Sequence, residues 1–153
     1  MPIMPNPQSK HAIGVVVVTH EGAADSLLSA ARALLGSLQG IVAVSCPIAD
    51  EFQLLVQKVS QACTLVDEGS GVLLLVDVYG SSPFHAAMAL LDGSRDAEVL
   101  CGVNLPMLLK LATLDRTRFS PGAIAEILRE TGRRAIRLGT ELTGRVALSE
   151  KLP

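Results

Sequence analysis

The chain contains no tryptophan, one tyrosine and three phenylalanines, so aromatic residues make up only 3% of its 153 positions. Surfaces that stack nucleic-acid bases need such rings, and they are missing. There is no basic excess either: 13 Lys and Arg stand against 15 Asp and Glu, a formal net charge of −2 that leaves no footprint for a polyanion. No nucleic-acid partner is expected. The apolar runs "AIGVVVV" and "GVLLLV" fall far short of the ~20 residues that span a bilayer, so they are read as core strands and no membrane insertion is expected. The dinucleotide loop G-x-G-x-x-G, the nucleotide loop G-x-x-x-x-G-K-[ST] and the hydrolase elbow G-x-S-x-G are all absent.

Cysteine is scarce and odd in number. Cys46, Cys63 and Cys101 lie far apart in apolar surroundings, which suggests neither a disulfide framework nor a zinc site. They are read as buried structural thiols, with no metal and no cofactor. The opening "MPIMPNPQSK" has three prolines and no apolar stretch of signal-peptide length, so residues 1–11 are expected to form a disordered leader. A cytoplasmic protein follows from that reading. Residues 12–153 are expected to form a single domain, large enough to bury a real core.

Apolar residues are plentiful, at 49%, and they are grouped. Strands are expected at 12–18, 41–48, 71–83 (the third strand with its exit turn) and 98–104, alternating with helices at 23–36, 50–67, 83–91, from Pro106 onward and at 120–139. In the second helix Phe52, Leu55, Val59 and Ala62 share a face and Asp50 stands ready to cap it. In the last, Ile124, Ile127, Leu128 and Ile136 are assigned inward and Arg129, Arg133 and Arg137 outward. Near-continuous apolar strands alternating with helices predict a flavodoxin-like, doubly wound α/β domain with a parallel sheet of four strands. The tail "TELTGRVALSEKLP" has room for a C-terminal edge strand at 145–148.

In an open α/β sheet, ligands bind beyond the carboxyl ends of the strands, where the strand order reverses. That edge carries His20 after the first strand, Asp77 with "YGSSP" after the third, and Asn104 after the fourth. In the flavodoxin order the first and third strands are neighbours, which puts His20 and Asp77 across one crevice. A carboxylate that takes the proton of one ring nitrogen leaves the other as an outward lone pair, an oriented nucleophile. Gly80, Ser81 and Ser82, at a turn into a helix, add N–H groups and hydroxyls for an anion. These parts suit a phosphoryl group on the histidine. Plainer roles exist for each: a satisfied histidine at a strand end, a simple turn at 80–83, an Asp77 that caps its helix or binds a metal, and a Thr19 that caps the helix after it. His85 is placed one turn into the helix, where it flanks the crevice or serves as an ordinary surface or core residue.

The segments "IGVVVVTHEGAADSLLSAARALLG", "GVLLLVDVYGSSPFHAAMALL" and "VLCGVNLPMLLKLAT" resemble the IIA component of the mannose family of the bacterial phosphoenolpyruvate-dependent sugar phosphotransferase system, over residues 12–113 in order. The resemblance implies that His20 takes a phosphoryl group from the histidine-phosphocarrier protein and passes it to a IIB component. It implies that Asp77 holds the ring, that Ser82 contacts the phosphate, that Tyr79 belongs to the partner-docking surface, and that the protein is a homodimer whose C-terminal strand crosses to the partner. Because the chain ends at Pro153, the IIB acceptor is expected to be a separate protein. The phosphotransfer subunit of dihydroxyacetone kinase and a phosphorylation-dependent regulatory protein share these features, and a small-ligand domain with an inert His20 is a third alternative.

The sequence also departs from the family pattern. Glu21 stands where glycine commonly follows the histidine, and its carboxylate is expected to lie close to the incoming dianion. Ser81 replaces the second glycine of the turn, and His85 stands at a usual asparagine.

Overall fold

Four consecutive valines can all be buried only in a strand covered on both faces. The computed structural model describes residues 11–142, and in it Val15, Val16, Val17 and Val18 are fully buried in β1 (Gly14–His20). The order that follows is α1 (Ala23–Leu35), β2 (Ile41–Cys46), α2 (Phe52–Val66), β3 (Val72–Val76), α3 (Ser82–Met88), β4 (Ala97–Cys101), α4 (Leu105–Thr113), α5 (Pro121–Arg134) and a short 3₁₀ turn (Gly139–Leu142). All strand pairs are parallel, in the spatial order β2-β1-β3-β4. The expected flavodoxin-like order is therefore present, with β1 and β3 adjacent.

Alternation along β1 divides the core in two. Val15 and Val17 pack with Leu28 of α1, Leu108 and Leu111 of α4 and Ile124 and Leu128 of α5. Val16 and Val18 face the other way, against Leu55, Val59 and Cys63 of α2 and Ala86 and Ala87 of α3. Each valine so buried contributes about 1.5–2 kcal/mol, and β3 repeats the pattern with five fully buried residues. Helices on both faces make the sheet doubly wound.

Several helix faces differ from the spacing-based expectation. The buried stripe of α2 is Leu55, Val59, Cys63 and Val66, while Phe52 is 48% exposed at the helix start and Ala62 is half-buried. Asp50 does not cap α2: Glu51 holds the cap position without a side-chain bond, and the Asp50 carboxylate instead pairs with Lys58 Nζ. The last helix ends at Arg134, so Ile136 lies beyond it, exposed. Ile124 and Leu128 are buried and Ile127 only half-buried. Cys46 and Cys63 are buried free thiols, Cys101 is half-buried, and burial pushes the first two up to about 11, which keeps them protonated. The expected C-terminal strand at 145–148 and residues 1–10 of the expected leader lie outside the described residues.

The exit from β1 depends on Thr19, the one fully buried polar side chain among the described residues. Gly22, at the N-cap of α1, offers no side chain. Thr19 Oγ1 takes that role from within the strand, accepting from Ala24 N–H at 2.7 Å and donating to the His20 carbonyl at 3.2 Å. Thr19→Val keeps the shape and orphans the buried amide, so we expect a loss of about 1–3 kcal/mol, read as a lower urea midpoint at unchanged m. An unchanged midpoint would mean that the Ala24 amide finds another acceptor.

Candidate functional site

The switch point lies between β1 and β3, whose following loops diverge to opposite faces of the sheet. His20 closes β1, and Asp77 follows β3 directly. One carboxylate oxygen, Asp77 Oδ2, accepts from the His20 backbone N–H at 2.8 Å and from its ring Nδ1 at 2.9 Å. The other, Oδ1, accepts from Val78 N–H at 2.9 Å. Both oxygens thus accept from N–H donors, and the cap of the helix that follows is held by Ser81, not by Asp77. No cluster of three or more metal-binding side chains occurs among the described residues.

Burial by itself would raise the Asp77 pKa. The His20 backbone N–H, the His20 ring and the Val78 N–H outweigh it, and the carboxyl is held below its ordinary range. An ionised acceptor requires Nδ1 to carry the proton, so the neutral ring keeps its lone pair on Nε2. Nε2 has no hydrogen-bond partner among the described residues, and the His20 side chain is 37% exposed. Such an arrangement, a ring held at Nδ1 with Nε2 unbonded among the described residues, is chemically suited to act as a nitrogen nucleophile.

The turn after Asp77 is built by its own residues. Gly80 adopts φ +76°, where a side chain would be strained. Ser81 caps α3: its hydroxyl accepts from Phe84 N–H at 3.4 Å and donates to the Val78 carbonyl at 2.6 Å. That hydroxyl proton is therefore spent within the turn, and the Ser81 side chain is not a free anion donor. Ser82, the first residue of α3, is exposed beside it. Tyr79 is 80% exposed and its ring leans on Phe84, with centroids 4.8 Å apart. His85 is exposed and meets the Phe84 ring edge-on at 5.2 Å, and Asn104 caps α4 through Met107 N–H.

Glu21, whose carboxylate is expected to lie close to the incoming dianion, has that side chain engaged. Its Oε1 accepts from Ile48 N–H at 3.1 Å, so the side chain is engaged by the loop after β2. Spacing could not reveal this bond, which joins residues 27 apart in sequence. The only advance signal was a glutamate where the resembled family commonly has glycine.

The fold and the site together define a doubly wound α/β domain that presents a carboxylate-held histidine at its switch point. Residues 14–128 match the EIIA-man family, described as the "PTS system fructose IIA component", and the chain belongs to that family of phosphotransferase-system IIA components. The mannose-specific EIIAB component of Escherichia coli K12 is 32% identical over 125 residues, 82% of this chain. The chain spans only 39% of that relative's length. The fructose-specific EIIA component of Bacillus subtilis is 29% identical over 102 residues, covering 67% of this chain and 70% of its own. Among solved structures, an EIIA component from Streptococcus agalactiae superposes with a TM-score of 0.75 at 20% identity, covering 84% of this chain and 98% of its own. A mannose/sorbose-specific IIA subunit from Enterococcus faecalis has the same TM-score and identity, with coverages of 84% and 95%. No helix among the described residues is long and apolar enough to cross a membrane.

The depressed Asp77 carboxyl sets a sign for stability against pH. Its charged form favours the folded chain above the unfolded value of about 3.9, and that contribution disappears as pH falls through the lower folded value. Denaturation of wild type and Asp77→Asn across pH should give a stability gap that is full at neutral pH and closes below about pH 4. A gap that stays constant on acidification would mean that the charge contributes nothing.

Proposed function

We propose that the protein is a phosphohistidine carrier: Nε2 of His20 takes a phosphoryl group from the phosphohistidine of the histidine-phosphocarrier protein and gives it to a IIB component of a mannose-type sugar phosphotransferase system. The observation that carries this reading is the 2.9 Å bond from His20 Nδ1 to Asp77, with Nε2 left unpartnered among the described residues. In each transfer one P–N bond breaks and one forms. The Nε2 lone pair attacks phosphorus in line, the donor nitrogen keeps the electron pair of the broken bond, and the phosphoryl group passes without becoming free phosphate. Phosphorylation makes the ring cationic, and the Asp77 carboxylate at Nδ1–H stabilises that charge.

In this reading Ser82 and the Gly80 turn supply the contacts for phosphate oxygens, with Ser81 holding the turn's shape. No lysine or arginine pairs with His20 or Asp77 among the described residues, so the partner is expected to bring the cation that offsets the dianion. Tyr79 extends from the same turn as an apolar docking contact. A cytoplasmic location and a homodimer complete the reading, the latter resting on family resemblance. The family match and the "YGSSP" turn favour the sugar-system reading over the dihydroxyacetone kinase subunit.

The test is phosphorylation of the purified protein by phosphoenolpyruvate, the system's first enzyme and the phosphocarrier, followed by intact mass. Wild type should gain one acid-labile, alkali-stable phosphoryl group, and His20→Ala none. Asp77→Asn should slow transfer on the order of a hundredfold, because an amide favours the wrong ring tautomer. An adduct that survives His20→Ala would place the chemistry elsewhere.

A further inference from the structure

Glu21 is the one non-glycine residue with positive φ among the described residues, at +44°, and it follows His20 directly. Such a conformation persists only where the surroundings hold it. Here three bonds do so, all to the end of β2 and its loop. Glu21 N–H donates to the Cys46 carbonyl at 3.3 Å, the Glu21 carbonyl accepts from Ser45 Oγ at 2.5 Å, and Oε1 accepts from Ile48 N–H at 3.1 Å. A glycine would adopt this φ without strain but would lose the side-chain bond.

What that bond holds is an exposed apolar step. Ile48 is 84% exposed although its N–H is satisfied, and Phe52 stands half-exposed at the start of α2. The loop that carries Ile48 closes on itself through Asp50 N–H to the Pro47 carbonyl at 3.0 Å. It also carries acidic groups: Asp50 is paired with Lys58, while Glu51 is exposed. Apolar side chains held out beside the Glu51 carboxylate fit a protein that presents apolar residues beside basic ones. Tyr79 offers a second apolar contact from the turn after β3, so His20, at the end of β1, lies between the exposed apolar segments that follow its two neighbouring strands.

We propose that Glu21 is a positioning residue for partner docking: its carboxylate clasps the loop after β2 to the His20 turn and so presents Ile48 and Phe52 to the phosphoryl-donating protein. The inference rests on the phosphocarrier reading above. Glu21 acts through the loop and does not touch the reacting atoms.

The test measures KM and kcat for the phosphorylated carrier protein with wild type, Glu21→Gly, Glu21→Gln, Ile48→Ser and the Glu21→Gly/Ile48→Ser double variant. Glu21→Gly should raise KM about three- to tenfold with a smaller change in kcat, the signature of weakened docking. Glu21→Gln retains an acceptor oxygen and should stay within about twofold of wild type. The double variant should be no worse than the worse single one, because both changes act on one loop. Hydrogen exchange at the Ile48 amide should accelerate in Glu21→Gly and not in Glu21→Gln, a readout that needs no partner. An unchanged KM in Glu21→Gly, a Gln variant as weak as the Gly variant, or multiplying effects in the double variant would each overturn the clasp alone. A wild type that accepts no phosphoryl group would overturn the phosphocarrier reading and the docking role with it.

Discussion

A single oxygen of Asp77 binds both the backbone and the ring of His20, and much of the fold can be read as a requirement for keeping that oxygen in place. The backbone bond continues the parallel pairing of β1 with β3 by one more step, using a side chain where the strand has run out. The ring bond then inherits the precision of the sheet, because donor and acceptor are attached to adjacent, fully buried strands. A histidine on a flexible loop would lose that precision, since each rotamer that must be frozen lowers the population of the competent geometry.

The two ends of the sheet are closed by different means. At the carboxyl end, polar groups from Thr19, Asp77, Ser81 and Asn104 satisfy helix starts and loop amides locally, which leaves His20 exposed between them. At the opposite end the half-buried guanidinium of Arg116 donates to the carbonyls of Ile13 and Gln39, fastening the start of β1 to the approach to β2. One end is tied shut by a long side chain from a distant loop, and the other is kept open by short ones. An asymmetry of this kind lets a rigid core carry an accessible site without exposing its strands.

The two central strands were legible because burial on both faces demands apolar residues at every position, a demand that "VVVV" and "VLLLV" meet without ambiguity, and the order followed from the flavodoxin-like alternation of strands and helices. His20 and Asp77 were legible for the complementary reason: each is the first polar residue after such a run that lies at the strand's carboxyl end and outside the core. Helix faces were less so. Phe52 and Ile136 have the spacing of core residues, but the first opens its helix and stays 48% exposed, and the last helix ends before reaching the second. Asp50 has the place of a cap and is claimed by Lys58 eight residues on. The engagement of Glu21 by Ile48 was beyond reach, because nothing in local spacing states which amide a side chain will meet across a strand pair.

That last contact bears on the carboxylate that directly follows His20 in the chain. A free glutamate next to a phosphorylated ring would repel the dianion at short range, and among the described residues no lysine or arginine pairs with His20 or Asp77 to offset it. Using the carboxylate as an acceptor for a backbone amide changes that balance, since its charge is partly answered by the Ile48 N–H dipole and its position is fixed. The same bond makes the positive φ of Glu21 sustainable, so the departure from glycine and the posture of the neighbouring loop are one structural fact. Where glycine supplies a turn by having no side chain, glutamate here supplies the turn by binding what lies across it.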